Sequence, residues 1–103
     1  MISIIKDRMT QLIELCKKHQ VDELYLFGSA LSVDFNAGSD LDFAVLFNKN
    51  LNALEHGDSF LGLMDDLTLL FDRNIDLISY RVIKNPVFKE ELDRTKKILY
   101  AAA

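Results

Sequence analysis

Apolar residues recur along this chain with two different periods, and the switches between them mark out the elements. Over residues 2–19, Ile5, Met9, Leu12 and Cys16 recur at helical spacing, and Ile2, Ile13 and Leu15 widen the stripe. This pattern predicts an amphipathic helix. Lys17, Lys18 and His19 fall in its last turn, where positive charge complements the helix dipole. Residues 20–22 read as a turn and 23–27, ELYLF, as a short strand. Residues 30–33 read as one helical turn, and 34–39 as a polar loop with Asn36 and Gly38 as its turn residues. Residues 40–47 predict a second strand, because the run from Leu41 to Phe47 is short and rich in Phe, Val and Leu. Residues 48–58 read as irregular. Asp58 or Ser59 then caps a helix over 60–71, whose apolar face is Phe60, Leu63, Met64, Leu67, Leu70 and Phe71. A turn at 72–74 leads to a third strand over 75–80. Asn85 followed by Pro86 opens a last helix over 86–100. Within it, Glu90 with Arg94 and Asp93 with Lys97 are i,i+4 pairs in the favourable order.

The expected fold class is α/β (α+β), in the order α-β-α-β-α-β-α, with a small mixed three-stranded sheet flanked by helices. The helix between the second and third strands makes a βαβ unit, so those strands are expected to be parallel. The first strand, joined to the second by a short connection, is expected to be antiparallel. This topology gathers Gly28, Ser29, Asp40, Asp42 and Asp76 on one edge of the sheet.

Length and composition narrow the picture. With 103 residues, half of them apolar, residues 1–103 read as a single domain with one modest core. Twelve basic against sixteen acidic residues give a formal charge of −4. That argues against broad nucleic-acid binding, which depends on basic patches. No apolar run approaches a membrane span and no signal-peptide pattern opens the chain, so a cytoplasmic location and no membrane partner are expected. Cys16 is the sole cysteine, on the apolar helix face, and reads as a buried structural thiol in a reducing compartment.

Asp40 and Asp42 carry the candidate chemistry. Side chains alternate along a strand, so the two carboxylates share a face. Like charges at the edge of an apolar run are costly unless a cation or protons offset them. Oxygen ligands in this arrangement suit a divalent metal, with phosphates as its remaining ligands. Gly28 ends the apolar run before it and lets a ligand approach the backbone. Ser29 could cap a short helix whose N–H groups face an anion. Asp76, among Ile75, Leu77 and Ile78, is a third site acid or else an edge-strand gatekeeper. Gly28 and Ser29, taken alone, make only a tight turn. Asp34, Asp58, Asp65, Asp66 and Asp72 read as caps or solvated acids. His19 and His56 are isolated from any acid-base partner in sequence and read as surface residues. Tyr25, Tyr80 and Tyr100 read as core or core-rim residues. Lys84, Lys89, Arg94, Lys96 and Lys97 give the last helix a basic bias, either a solvated face or a surface for an acidic partner.

The ordered set also carries a family resemblance. An apolar residue, Gly28-Ser29, ten intervening residues and Asp40-Leu41-Asp42 on a strand resemble the nucleotidyltransferase superfamily that includes DNA polymerase beta. The short chain is similar to the minimal nucleotidyltransferases, antitoxin-side partners of HEPN-domain proteins. The resemblance runs from about Val21 to Tyr100 and includes the acidic third strand. It implies a polymerase beta-like fold and transfer of a nucleoside monophosphate, AMP from ATP, to a hydroxyl on a partner protein. Mg²⁺ or Mn²⁺ would be held by Asp40, Asp42 and Asp76, as two ions about 3.5–4 Å apart. Asp76 is also placed to act as general base. Gly28 and Ser29 would cradle the β- and γ-phosphates. The implied partner is a HEPN-type RNase in a heteromeric complex, with a homodimer as the other assembly. A non-catalytic module that neutralises a HEPN partner by binding is the alternative reading. One departure stands out. Members commonly have Arg or Lys directly after Gly-Ser and a Gly three residues later, where this chain has Ala30 and Val33.

Overall fold

The structure, a computed structural model, describes residues 3–31, 36 and 38–102, with the backbone alone at Ser29. Expectations placed on Ile2, Val33 and Asp34 lie outside the described residues. The elements run α1 (Ser3–Lys6), α2 (Met9–Lys18), β1 (Val21–Phe27), β2 (Leu41–Phe47), α3 (Ala53–Phe71), β3 (Ile75–Ser79), α4 (Pro86–Thr95) and β4 (Lys97–Ala101). Short 3-10 turns at Gly28–Leu31 and Tyr80–Val82 complete them. The strands order as β3-β2-β1-β4. β2 and β3 are parallel, and β1 is antiparallel to both β2 and β4.

Strand alternation divides the side chains between two helical layers. Leu24 and Leu26 of β1, Leu41, Phe43, Val45 and Phe47 of β2, and Leu77 of β3 pack with Ile5, Leu12, Cys16, Leu63, Leu67 and Phe71 from α1, α2 and α3. On the opposite face, Tyr25, Phe27, Ala44 and Ile78 pack with Leu92 of α4. Each fully buried Leu or Phe contributes on the order of 1.5–3 kcal/mol over an exposed one. Cys16 is wholly buried, and burial pushes its thiol up to about 12, so it stays protonated and inert.

Four expectations about elements are corrected. The first helix is two pieces, broken at Asp7 and Arg8. The break leaves the apolar stripe intact, and Arg8 Nε reaches across to donate to the Leu70 carbonyl at 3.1 Å. α3 begins at Ala53 rather than Phe60, because Asn52 and Glu55 form a capping box. The Asn52 side chain accepts from the Glu55 N–H, and the Glu55 side chain accepts from the Asn52 N–H. The last helix stops at Thr95. Lys96 is extended, and Lys97–Ala101 forms a fourth strand beside β1, so the sheet has four strands instead of three. Ile98, Leu99 and Tyr100 suit a strand, and β1 would otherwise present an open row of backbone groups. The i,i+4 pairs of α4 change accordingly. Arg94 pairs with Glu91 at 2.6 Å, and Asp93 takes Lys89, Lys96 and the Tyr80 hydroxyl. Lys96 also lies over the Tyr25 ring and Lys89 over the Tyr80 ring, each at 5.0 Å, so part of the basic bias is spent within the fold.

The fourth correction concerns His19. It has a partner: its Nε2 lies 2.6 Å from Asp66 Oδ2, and Lys18 Nζ lies 3.1 Å from the same oxygen. This joins the C-terminus of α2 to the middle of α3. Gly62 makes the room, since a Cβ there would fall 2.7 Å from the His19 ring. The His19 and Lys18 donors hold the Asp66 carboxyl below the usual carboxylate range. Asp66→Asn should therefore destabilise the domain by on the order of 1 kcal/mol at neutral pH. A carboxyl depressed in the folded state contributes fully above its unfolded pKa and loses that contribution as pH falls through its folded value. In urea unfolding, the gap between wild type and Asp66→Asn should stay constant down to about pH 4 and close below it. A gap that persists unchanged at pH 3 would assign the loss to packing instead.

Candidate active site

The site is built where β1 ends and β2 and β3 begin. β1 stops at Phe27 because Gly28 takes φ +70°, a left-handed conformation that favours glycine. The chain then winds into the 3-10 turn over Gly28–Leu31, which starts the backbone N–H groups of 28 and 29 at the sheet's edge. A Cβ on Gly28 would collide with the Asp42 carboxylate oxygen and sit 3.1 Å from its Cγ. The missing side chain is what lets backbone and carboxylate approach.

Register places the acids. Phe27 pairs with Asp42 across β1 and β2, and Asp42 pairs with Asp76 across β2 and β3. Partners in register share a face, so Phe27, Asp42 and Asp76 form one row across three strands, on the α4 side. Asp42 is half-buried, whereas Asp76 and Asp40 are exposed. Asp40 directly precedes β2, and the Leu41 N–H donates to the Asn74 carbonyl at 3.1 Å, which ties this entry to the start of β3. Gly28, Ser29, Asp40, Asp42 and Asp76 thus come to one edge through the backbone. The side chains are not drawn into a closed cluster: among the described residues, no three His, Cys, Asp or Glu side chains group as a metal site. The side chain of Ser29 lies outside the described residues. β3 is an edge strand, so Asp76 also occupies the place of a gatekeeper.

The loop before Asp40 is held by a residue that pattern reading missed. Arg73 Nη1 donates to the Ser39 carbonyl at 3.1 Å and to the Asn36 carbonyl at 3.4 Å. The loop's own turn is the expected one, with the Gly38 N–H donating to Asn36 Oδ1 at 2.8 Å. Arg73 lies in the turn after α3, and nothing in its spacing pointed back over 34 positions to Ser39. Ala30 is 2 % exposed and belongs to the main core. The position that commonly carries a cation in the resembled family is therefore turned inward here. His56 also has a partner, its Nε2 lying 3.0 Å from Ser79 Oγ.

A tight glycine turn beside in-register acids, on a mixed α/β sheet, is the arrangement expected of a nucleotidyltransferase-type domain. The family profile described as "Polymerase beta, Nucleotidyltransferase" matches residues 10–103, and the chain belongs to that family. No curated protein matches the chain. Similar solved structures include a toxin–antitoxin complex with AMP-PNP, 24% identical, with TM-score 0.69 over 91% of this chain and 73% of that one. A complex of tri-AMPylated Shewanella oneidensis HEPN toxin with MNT antitoxin is 22% identical, with TM-score 0.65 over 94% and 72%. A protein proposed to be a minimal nucleotidyltransferase is 26% identical, with TM-score 0.66 over 90% of each chain. Among the described residues, no helix is long and apolar enough to cross a membrane.

Gly28→Ala should cost on the order of 2 kcal/mol or more, from left-handed backbone strain together with the collision at Asp42. Adding Asp42→Ala should recover the collision and leave the strain. Urea unfolding of the two single variants and the double variant checks this, and strict additivity would show that the two residues do not touch.

Proposed function

We propose that this domain transfers AMP from ATP to a hydroxyl group on a HEPN-type partner protein, and so acts as that partner's antitoxin. The observation that carries this is the row Gly28, Asp42 and Asp76, where a bare backbone turn abuts one carboxylate and a second lies in register beside it. The family membership and the likeness to complexes of HEPN toxin with MNT antitoxin support it. Carboxylate oxygens are the donor set that Mg²⁺ or Mn²⁺ prefers, and the missing Cβ at Gly28 is what lets the turn come up against the Asp42 carboxylate. Asp40, Asp42 and Asp76 would hold the ions, whose chemistry when bound is neutralisation of triphosphate charge and activation of the acceptor oxygen.

The chain's own residues do the rest. Backbone N–H groups of Gly28 and Ser29 orient the β- and γ-phosphates. Asp76, exposed at the start of β3, takes the proton from the acceptor hydroxyl. The acceptor oxygen forms a bond to the α-phosphorus while the bond to the bridging oxygen breaks, and pyrophosphate leaves. Positioning supplies most of the rate.

One observation favours a second reading, neutralisation by binding alone. Ala30 is buried, so this turn presents no cation to the triphosphate at the position where the family commonly has one. Co-expression decides between the two. An Asp40→Asn, Asp42→Asn, Asp76→Asn variant that still neutralises the partner at equal dose would remove the need for transfer.

Metal linkage is checked on the domain itself. Mn²⁺ should raise the melting temperature of wild type, and more so with ATP present, because the unfolded chain separates the acids. Asp42→Asn should lose most of that shift and remain folded. An identical shift in both proteins at fixed ionic strength would place the ions elsewhere.

A further inference from the structure

β3 pairs with β2 alone and ends the sheet on that side. Successive residues of a strand point to opposite faces, so Ile78 belongs to the α4 side and Ser79 to the α3 side. One groove of about 730 Å³ touches both, and so wraps round the outer edge of the strand. Phe60 and Leu61 of α3 wall it on one side, and Val82, Lys84 and Phe88 on the other. The edge is therefore recessed between the two helical layers. The groove is apolar with a polar rim. His56 and Ser79 bond to each other at 3.0 Å. Asn85 Oδ1 accepts from the Val87 and Phe88 N–H groups, which leaves its NH₂ end to donate. Lys84 is exposed and has no ion pair among the described residues, whereas Lys89 and Lys96 are both engaged by Asp93. Among the described residues no Asp or Glu lines the groove, although acids outnumber bases in the chain.

We propose that this groove takes an extended segment of another protein, which adds to β3 as a fifth strand. The segment is apolar on both faces and carries a carboxylate at the end that reaches Lys84. An edge strand presents unpaired backbone N–H and C=O groups, and a neighbouring strand about 4.8 Å away satisfies them. A helix is about 10 Å across and has no backbone groups to spare for the edge. A second copy would bring its own sheet edge recessed between its own helical layers, and the two sets of walls would meet before the strands did. A lone strand fits where these do not. Alternation then sends its side chains in turn toward Phe60 and Leu61 and toward Val82 and Phe88, so both of its faces are covered. Charge sets its ends. Lys84 lies past the C-terminal end of β3, so the carboxylate belongs at that end of the groove. Antiparallel pairing is the stabler sense, which puts the carboxylate N-terminal to the apolar residues. This association goes beyond the transfer reading and holds whether or not the domain transfers AMP.

The test is fluorescence anisotropy of a labelled, end-blocked peptide, Asp-Val-Leu-Val-Leu-Ser, titrated with the domain free of metal and nucleotide. Wild type should bind it with a Kd on the order of 100 μM, the weak affinity of strand addition by so short a segment. Lys84→Glu should weaken binding about fivefold, and a peptide with Lys in place of its Asp should recover that loss on the variant alone. Leu61 and Val82 are 65 % and 61 % exposed, so the double variant Leu61→Gln, Val82→Gln is at low risk to folding, and it should weaken binding about tenfold. N-methylation of the peptide's backbone amides should abolish binding, because it removes the donors that the edge of β3 requires. Failure of the peptide to bind wild type would overturn the proposal, as would affinity unchanged in both Lys84→Glu and the double variant. Undiminished binding of the N-methylated peptide would assign the groove to side-chain contacts alone. A wild-type dimer in sedimentation that the double variant disperses would assign it to a second copy. Either result overturns strand addition. Loss of AMP transfer moves none of these readouts, so the two readings fail separately.

Discussion

Everything at the candidate site depends on one close approach, the Gly28 backbone against the Asp42 carboxylate. Two conditions must hold together for it. Residue 28 must lack a side chain, and the backbone must turn at φ +70° at once on leaving β1. Glycine meets both at little cost in the folded state, although it adds freedom to the unfolded chain. The β1–β2 register then fixes which acid is met. A slip of one residue would bring Leu41 or Phe43 to the turn and send Asp42 to the core face, where Phe43 and Phe71 stack at 5.8 Å. That aromatic pair and its neighbours resist the slip, so the core sets the chemistry's address.

The parts of the site that could be read from the chain were those governed by short-range rules. Alternation assigned Asp42 to the face opposite Leu41 and Phe43, and the βαβ rule set Asp76 beside it. Neither step needed tertiary information. The misses have a common physical origin in long-range partners. His19 has no acid near it in sequence, and its partner Asp66 is supplied by helix packing 47 positions away. Arg73 likewise acts on a loop that only the folded sheet brings near. The fourth strand was obscured differently. Lys97 completes an i,i+4 pair with Asp93 and so reads as helix, and the conversion of Lys97–Ala101 to a strand depends on the edge that β1 offers. The start of α3 is the exception, since Asn52 and Glu55 were a local signal. Gly57 and exposed Leu54 masked it by breaking the apolar rhythm.

The two helical layers contribute unequally to the site. α3 and its companions carry most of the core, in the larger of the two clusters. α4 covers the other face through Leu92, with Phe88 edge-on to Phe27, while Asp42 stays half-buried and Asp76 exposed. A small helix over a large sheet face is thus what creates an open edge. Pro86 at the first helical position and the Asn85 cap, which accepts from Val87 and Phe88 N–H groups, fix where that helix begins. They thereby fix where Phe88 stands.

Ala30 sharpens the electrostatic question. A turn that cradles phosphates works through partial charges on backbone N–H groups, which amount to less than one full positive charge. Where a cation follows the turn, it adds to that field. Here the position is buried in the core, so a lysine placed there would have to leave the core or lose its charge. The chain is also net acidic, at −4, and offers no broad positive field to attract a nucleotide. Under the proposed function, charge balance for a bound triphosphate would come mainly from divalent ions at the acids. The acids would gain in turn, because Asp42 and Asp76 lie in register on adjacent strands, where like charges oppose each other. Under that proposal metal and nucleotide binding would be coupled, because the ions would offset the negative charge of both acids and phosphates. A turn without its cation would make that coupling stronger than it would be with one.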